Sequence, residues 1–166
     1  FVEDGSDDIV SDVCAITVRN NAENTVQYAE ISMNIGGESY CFKLSTLPQG
    51  KSVQLLELSR QPLPESTDGL TASLTSFAPF DTEPTLCEDV ISIDAQDTAI
   101  TITNVSGSDI TGQIYVYYKS AYGDLYIGGI TYRTGVEGLA AGESTTLYAS
   151  HYSTAYSKIM FVSYVQ

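Results

Sequence analysis

Three short blocks of sequence recur in the same order in the two halves of the chain. This internal repetition constrains the fold more than any other feature. Ala15-Ile-Thr-Val-Arg-Asn20 returns as Ala99-Ile-Thr-Ile-Thr-Asn104, 84 residues later. The turn signal Gly36-Gly37 has a counterpart in Gly123-Asp124, at an offset of 87. Leu47-Pro-Gln-Gly50-Lys-Ser52 has one in Leu139-Ala-Ala-Gly142-Glu-Ser144, at an offset of 92. The offset only grows along the chain, as expected if a second copy of one unit has gained loop residues. Self-similarity of this kind predicts two copies of one supersecondary unit.

Each copy reads as strands. In the first, Ile16 and Val18 alternate with polar residues, as do Ala29, Ile31, Met33 and Ile35, and then Tyr40, Phe42 and Leu44. In the second the alternating sets are Ile100 and Ile102; Ile114, Val116 and Tyr118; Leu125 and Ile127; and Ile159, Phe161, Ser163 and Val165. A period of two marks half-buried antiparallel strands, and Val, Ile, Thr and Tyr suit a pleated surface. No segment carries a capped apolar stripe at helical spacing. Short strands with Gly, Asn and Asp turns between them predict an all-β chain of two antiparallel sandwiches. The first repeat is expected over 1–80, with 1–7 as a solvated tail, a Pro-containing connector over 81–87, and the second repeat over 88–166. Prolines 79 and 84 remove backbone donors and stiffen the joint.

The Asn104-Val-Ser106 segment precedes the strand Ile114-Tyr-Val-Tyr-Tyr118. The Gly123-Asp124 turn follows, and then Leu139-Ala-Ala-Gly142-Glu-Ser144. In this order of motifs the second repeat resembles the small immunoglobulin-like domains of the FxLYD type, found in bacterial envelope and secreted proteins. The first repeat matches through Asn20 and Leu47 to Ser52, and the resemblance spans about 65 residues of each half. Lys119 stands where the family's Tyr-Asp pair would place an acid. The resemblance implies tandem immunoglobulin-like sandwiches in an extracytoplasmic setting, secreted or anchored at the cell surface. Such domains are usually modules without catalytic residues.

Charge narrows the partners. With 21 acidic and 7 basic residues the formal net charge is −14, which repels phosphate backbones and anionic lipid heads. Nucleic acid is not an expected partner. No run of 18 apolar residues occurs, so membrane insertion by a helix is not expected. The opening FVEDGSDDIVSD has neither a basic n-region nor an apolar h-region and does not read as a signal peptide.

Candidate chemistry is sparse. His151 follows Ser150, but neighbours on a strand point to opposite faces, so the pair is no nucleophile and base. The adjacent acids Asp7-Asp8 and Glu88-Asp89 say nothing about the opposed carboxyls that glycoside hydrolysis requires. Asp4-Gly-Ser-Asp7-Asp8 lacks the glycine spacing and closing Glu of a calcium loop. A Lys–Asn isopeptide staple finds no Asn acceptor in the last strand. Cys14, Cys41 and Cys87 form no CxxC or Cys/His cluster, so no metal site and no cofactor are expected. If one pair is bridged, Cys41 and Cys87 are the expected partners; three free thiols are the alternative.

Tyrosine is the most uneven residue, with ten of twelve after residue 84. If Val116 points inward, Tyr115 and Tyr117 share the outer face, where rings can grip a sugar or a protein surface. Cross-strand pairing explains the same rings without a ligand. The expected contact residues are Tyr115, Tyr117 and Tyr126. The expectation is a non-enzymatic, extracytoplasmic binding or adhesion-type module for an unidentified surface protein or glycan, with its contact face on the second repeat. A spacer pair in a cell-surface protein and a carbohydrate-binding module are the alternatives, and the oligomeric state is open.

Overall fold

The computed structural model describes Ser6 and residues 8–166. The remainder of the 1–7 tail, and Asp4, Gly5 and Asp7 of the acidic run, lie outside the described residues. Among those described the chain is all β. Its twelve strands are β1 (Ala15–Arg19), β2 (Val26–Ile35), β3 (Glu38–Leu47), β4 (Ser52–Leu56), β5 (Thr71–Pro79), β6 (Ile91–Gln96), β7 (Ala99–Asn104), β8 (Ile110–Tyr122), β9 (Leu125–Ile127), β10 (Tyr132–Leu139), β11 (Ser144–Tyr148) and β12 (Ser157–Tyr164). No described segment is a helix long and apolar enough to cross a membrane.

The chain divides into two compact units. The first comprises Phe1–Glu83 with Gly123–Ile130, and the second Pro84–Tyr122 with Thr131–Gln166. Residues 123–130, read above as part of the second repeat, are therefore counted with the first unit.

In the first unit β2 runs between β3 and β5, antiparallel to both. β4 pairs antiparallel with β1 on one side and parallel with β9 on the other. The alternation of β3 produces its packing: Tyr40, Phe42 and Leu44 are buried, while Cys41 and Lys43 face solvent. Val53 and Leu55 of β4 are buried in the same way. Each such side chain contributes about 1.5–3 kcal/mol when removed from water. On the outer face Lys43 pairs with Glu30 at 2.8 Å, and the register sets these two residues directly opposite each other.

In the second unit β7 lies between β6 and β11, and β8 between β10 and β12, all antiparallel. Ile100, Ile102, Ile114 and Val116 are fully buried, and Tyr118, Tyr152 and Val162 complete the core around them. The last strand departs from simple alternation. A bulge between Ile159 and Phe161 turns Phe161 toward Tyr117 and brings Val162 opposite the inward Val116. One extra residue inverts the face that follows it.

The same turn network occurs in both units. The Asn20 side-chain amide donates to the carbonyls of Asn24 and Leu47, both at 2.9 Å, and its Oδ1 accepts the Ala22 N–H at 2.9 Å. Asn104 donates to Ser108 at 2.7 Å and Leu139 at 2.9 Å and accepts from Ser106 at 3.0 Å. Gly50 and Gly142 hold φ of 71° and 76°. Their N–H groups donate to the carbonyls of Asn20 and Asn104, at 2.8 and 2.9 Å. Only glycine holds that left-handed turn at little cost, and only a buried amide satisfies both carbonyls and the N–H.

Candidate functional site

The outer face of β8 carries the rings that the period of two sends there. Ile114, Val116 and Tyr118 are buried, and Tyr115 and Tyr117 point the other way. The register sets Tyr115 between Gly135 and Ser163, and Tyr117 between Arg133 and Phe161. Tyr117 stacks on Phe161 with centroids 4.1 Å apart and an interplanar angle of 12°. Tyr115 meets Tyr117 edge-on at 6.3 Å, and the Arg133 guanidinium lies 4.7 Å above the Tyr115 ring. Gly135 makes room for that ring: a Cβ there would fall 2.3 Å from the Ile114 oxygen and 2.5 Å from Tyr115 Cδ1. Both tyrosines are half-buried by these neighbours. Cross-strand contacts of this kind stabilise by about 0.2–1 kcal/mol per pair. Lys119, which departs from the family pattern, lies two residues beyond Tyr117 and is fully buried.

Tyr126 does not join them. It belongs to the first unit, opposite Val53 on β4, and is buried. The alternation read from Leu125 and Ile127 is inverted, because β9 turns Tyr126 inward against a strand distant in sequence. Burial raises its hydroxyl pKa, and the Asp124 carboxylate adds to the rise.

A second set of rings belongs to the interior. Tyr118 stacks on Tyr132 at 5.5 Å and meets Tyr152 edge-on at 5.5 Å, and Tyr132 stacks on His151 at 4.7 Å. Burial raises the pKa of Tyr118 and of Tyr152. His151 is thus one end of an aromatic row.

The rings most open to solvent are ones the sequence reading did not single out. Tyr122 is 71% exposed, Tyr148 76% and Tyr156 59%. Tyr122 and Tyr156 lie near-parallel, with centroids 6.4 Å apart and an interplanar angle of 12°. The Ala121 N–H donates to the Tyr156 carbonyl at 2.8 Å, which fixes the end of β8 to the turn before β12. In sequence the two are 34 residues apart, and only the pairing of β8 with β12 brings them together. Two near-parallel, exposed rings with hydroxyl edges offer apolar area and hydrogen bonding on stiff side chains.

Polar groups are largely structural. Glu57 is buried, and its carboxylate accepts the N–H groups of Cys41 (3.2 Å), Ser59 (2.6 Å) and Gln61 (3.0 Å). Thr154 donates its N–H (2.7 Å) and hydroxyl (2.9 Å) to Asp97, which holds that carboxyl below its ordinary range. Cys41 and Cys87, considered above as a bridge, are free thiols, exposed and half-buried respectively. Cys14 is free and buried, and burial, then the Glu57 charge, push its pKa up. Among the described residues no three His, Cys, Asp or Glu side chains cluster as a metal site requires.

Comparison of the chain with family models, with curated proteins and with solved structures gave no match.

Proposed function

We propose that the chain is a tandem pair of immunoglobulin-like sandwiches acting as a non-catalytic, extracytoplasmic binding or adhesion-type module, with its contact surface on the second unit. The shared Asn20 and Asn104 networks support the repeat reading. The observation that carries the binding reading is the parallel, solvent-exposed pair Tyr122 and Tyr156. Stiff rings on a surface bury area on contact at small entropic cost, and hydroxyl edges accept and donate to a sugar or a protein surface. Tyr115 and Tyr117, engaged by Arg133, Phe161 and Gly135, form a half-buried second contact surface.

The test is a glycan array together with a quantitative binding assay against purified surface proteins, run on the chain and on Tyr122→Ser/Tyr156→Ser. Selective binding lost at least about tenfold in the double variant supports the reading, since removing two aromatic anchors costs on the order of 1.4 kcal/mol or more. Binding that survives the double variant unchanged overturns the assignment of the contact surface. A spacer role is the second reading, favoured by the way the connector is fastened within the first unit. Glu83 accepts the Thr25 N–H at 3.0 Å and its hydroxyl as well, and Phe80 N–H donates to the Thr25 carbonyl at 3.0 Å.

A further inference from the structure

Among the described residues β6 and β12 are edge strands of the second unit, each with one strand partner, on β7 and β8 respectively. A groove of about 380 Å³ runs along β6, lined by Leu86, Glu88, Ile91, Ile93, Ala95 and, from β12, Ile159. Its floor is the hydrophobic core, against which Ile93, Ala95 and Ile159 pack while remaining only half-covered. The phase of the β6 ladder follows from the Val105 N–H, which donates to the Val90 carbonyl at 2.9 Å. Bonded positions alternate in an antiparallel pair. Positions 92, 94 and 96 therefore bond to β7, and 91, 93 and 95 turn their backbone outward. The Ile91 N–H donates to Cys87 at 2.8 Å. Ile93 and Ala95 have no backbone partner on that side among the described residues.

From this geometry we infer that the β6 edge is a docking site for an extended strand of another protein, cationic on its outer face and with small aliphatic residues at alternate positions. Three observations select that occupant. Unpaired N–H and C=O groups two residues apart call for a backbone, which neither a sugar nor a lipid chain supplies. The side chains that line the groove from β6 recur at every second residue, so an added strand would send alternate side chains into it. The volume lies at the small end of ligand pockets and suits aliphatic groups. Charge supplies the rest: Glu88 lines the groove, Asp89 follows it, and Asp94 and Asp97 are exposed on β6 and its turn. The inference uses no residue of the Tyr122 and Tyr156 pair and stands beyond that reading.

The experiment titrates the intact chain with the peptide acetyl-Lys-Val-Lys-Val-Thr-Val-Lys-Val-Lys-amide, following amide hydrogen exchange by NMR. The control is a peptide of the same composition with its valines in one block. The alternating peptide is expected to slow exchange at Ile93 and Ala95 by about tenfold or more. The blocked peptide is not. Ala95→Pro removes one edge donor that β7 does not use, a position where an edge strand tolerates proline. It is expected to weaken binding at least about tenfold, with the amides of Asp94 and Gln96 still protected as a check on folding. Tyr122→Ser/Tyr156→Ser should leave the titration unchanged, which separates this site from the aromatic one. Equal binding of the two peptides overturns the inference, as does no binding at millimolar peptide. Protection of Ile93 and Ala95 that grows with protein concentration alone also overturns it, since a second copy would then be the occupant.

Discussion

In the second unit β7 is flanked by β6 and β11, whereas among the described residues β1 of the first unit has β4 on one side and no strand on the other. The sequences of β1 and β7 are nearly the same, yet Ile100 and Ile102 are fully buried while Ile16 and Val18 are only half so. The difference continues across the first unit. On β5, Leu74 is 57% exposed and Phe77 45%, whereas β12 buries Phe161 and Val162. A repeated motif therefore sets turn geometry and strand direction, while the neighbours of each copy decide how much of it leaves water. The first unit instead gains β9, which pairs with β4.

The largest effect is expected from removing that strand. Replacing residues 125–130 by a Gly-Ser run of the same length would keep the reach between β8 and β10 while abolishing β9. The first unit would lose Tyr126 from its interior. It would also lose the Gly128 N–H bond to the Gln54 carbonyl at 2.8 Å, and the Gly129 carbonyl that accepts the Ser45 N–H at 2.8 Å. Burial of one large side chain and two backbone bonds together contribute about 3–5 kcal/mol. Hydrogen exchange should show β3 and β4 opening more readily, with β7 and β11 little changed. Unchanged protection in β3 and β4 would break the comparison.

The next effect tests whether the shared network matters equally in both places. Asn20→Ala removes the side-chain partner of two carbonyls and one N–H; Asn104→Ala does the same, although the Ser108 carbonyl keeps the Ser106 hydroxyl at 3.0 Å. An unsatisfied buried group costs about 1–3 kcal/mol. Each variant should lose about 2–4 kcal/mol in denaturant unfolding, with local opening confined to its own unit. A large loss at one asparagine and none at the other would show that the shared geometry carries different energetic weight in the two units.

These features differ in how far they could be read from sequence. The outward placement of Tyr115 and Tyr117 follows from a period of two along a single strand, and the Gly50 and Gly142 turns from a backbone conformation that other residues resist. Tyr126 could not be placed this way, because a parallel pairing with a strand some 70 residues earlier decides which of its faces is buried. The bulge at β12 is equally silent, since an inserted residue leaves no mark on composition. Tyr122 and Tyr156 stand out only once β8 and β12 are paired, and Glu57 looks like any surface acid until the loop after it folds back over its carboxylate.

The smallest effect concerns Tyr40, a buried ring of the first unit whose hydroxyl lies 3.0 Å from Glu38 Oε2 and 3.1 Å from the Pro62 carbonyl. Burial, then the Glu38 hydrogen bond, push its pKa from the ordinary tyrosine value of 10.0 up to about 12. The folded state thus holds this proton more tightly than the unfolded chain. Its contribution is fully present below pH 10 and is lost as pH rises toward 12. Over that window the protection of β3 amides, taken relative to an unfolded chain at the same pH, should fall, and Tyr40→Phe should remove that fall while leaving the protection of β7 and β8 as it was. The second unit has its own buried hydroxyls, Tyr118 and Tyr152, raised by burial as well. A Tyr40→Phe chain whose β3 still opens with rising pH would therefore assign the alkaline sensitivity of the first unit to another group, with Tyr126 the next to test.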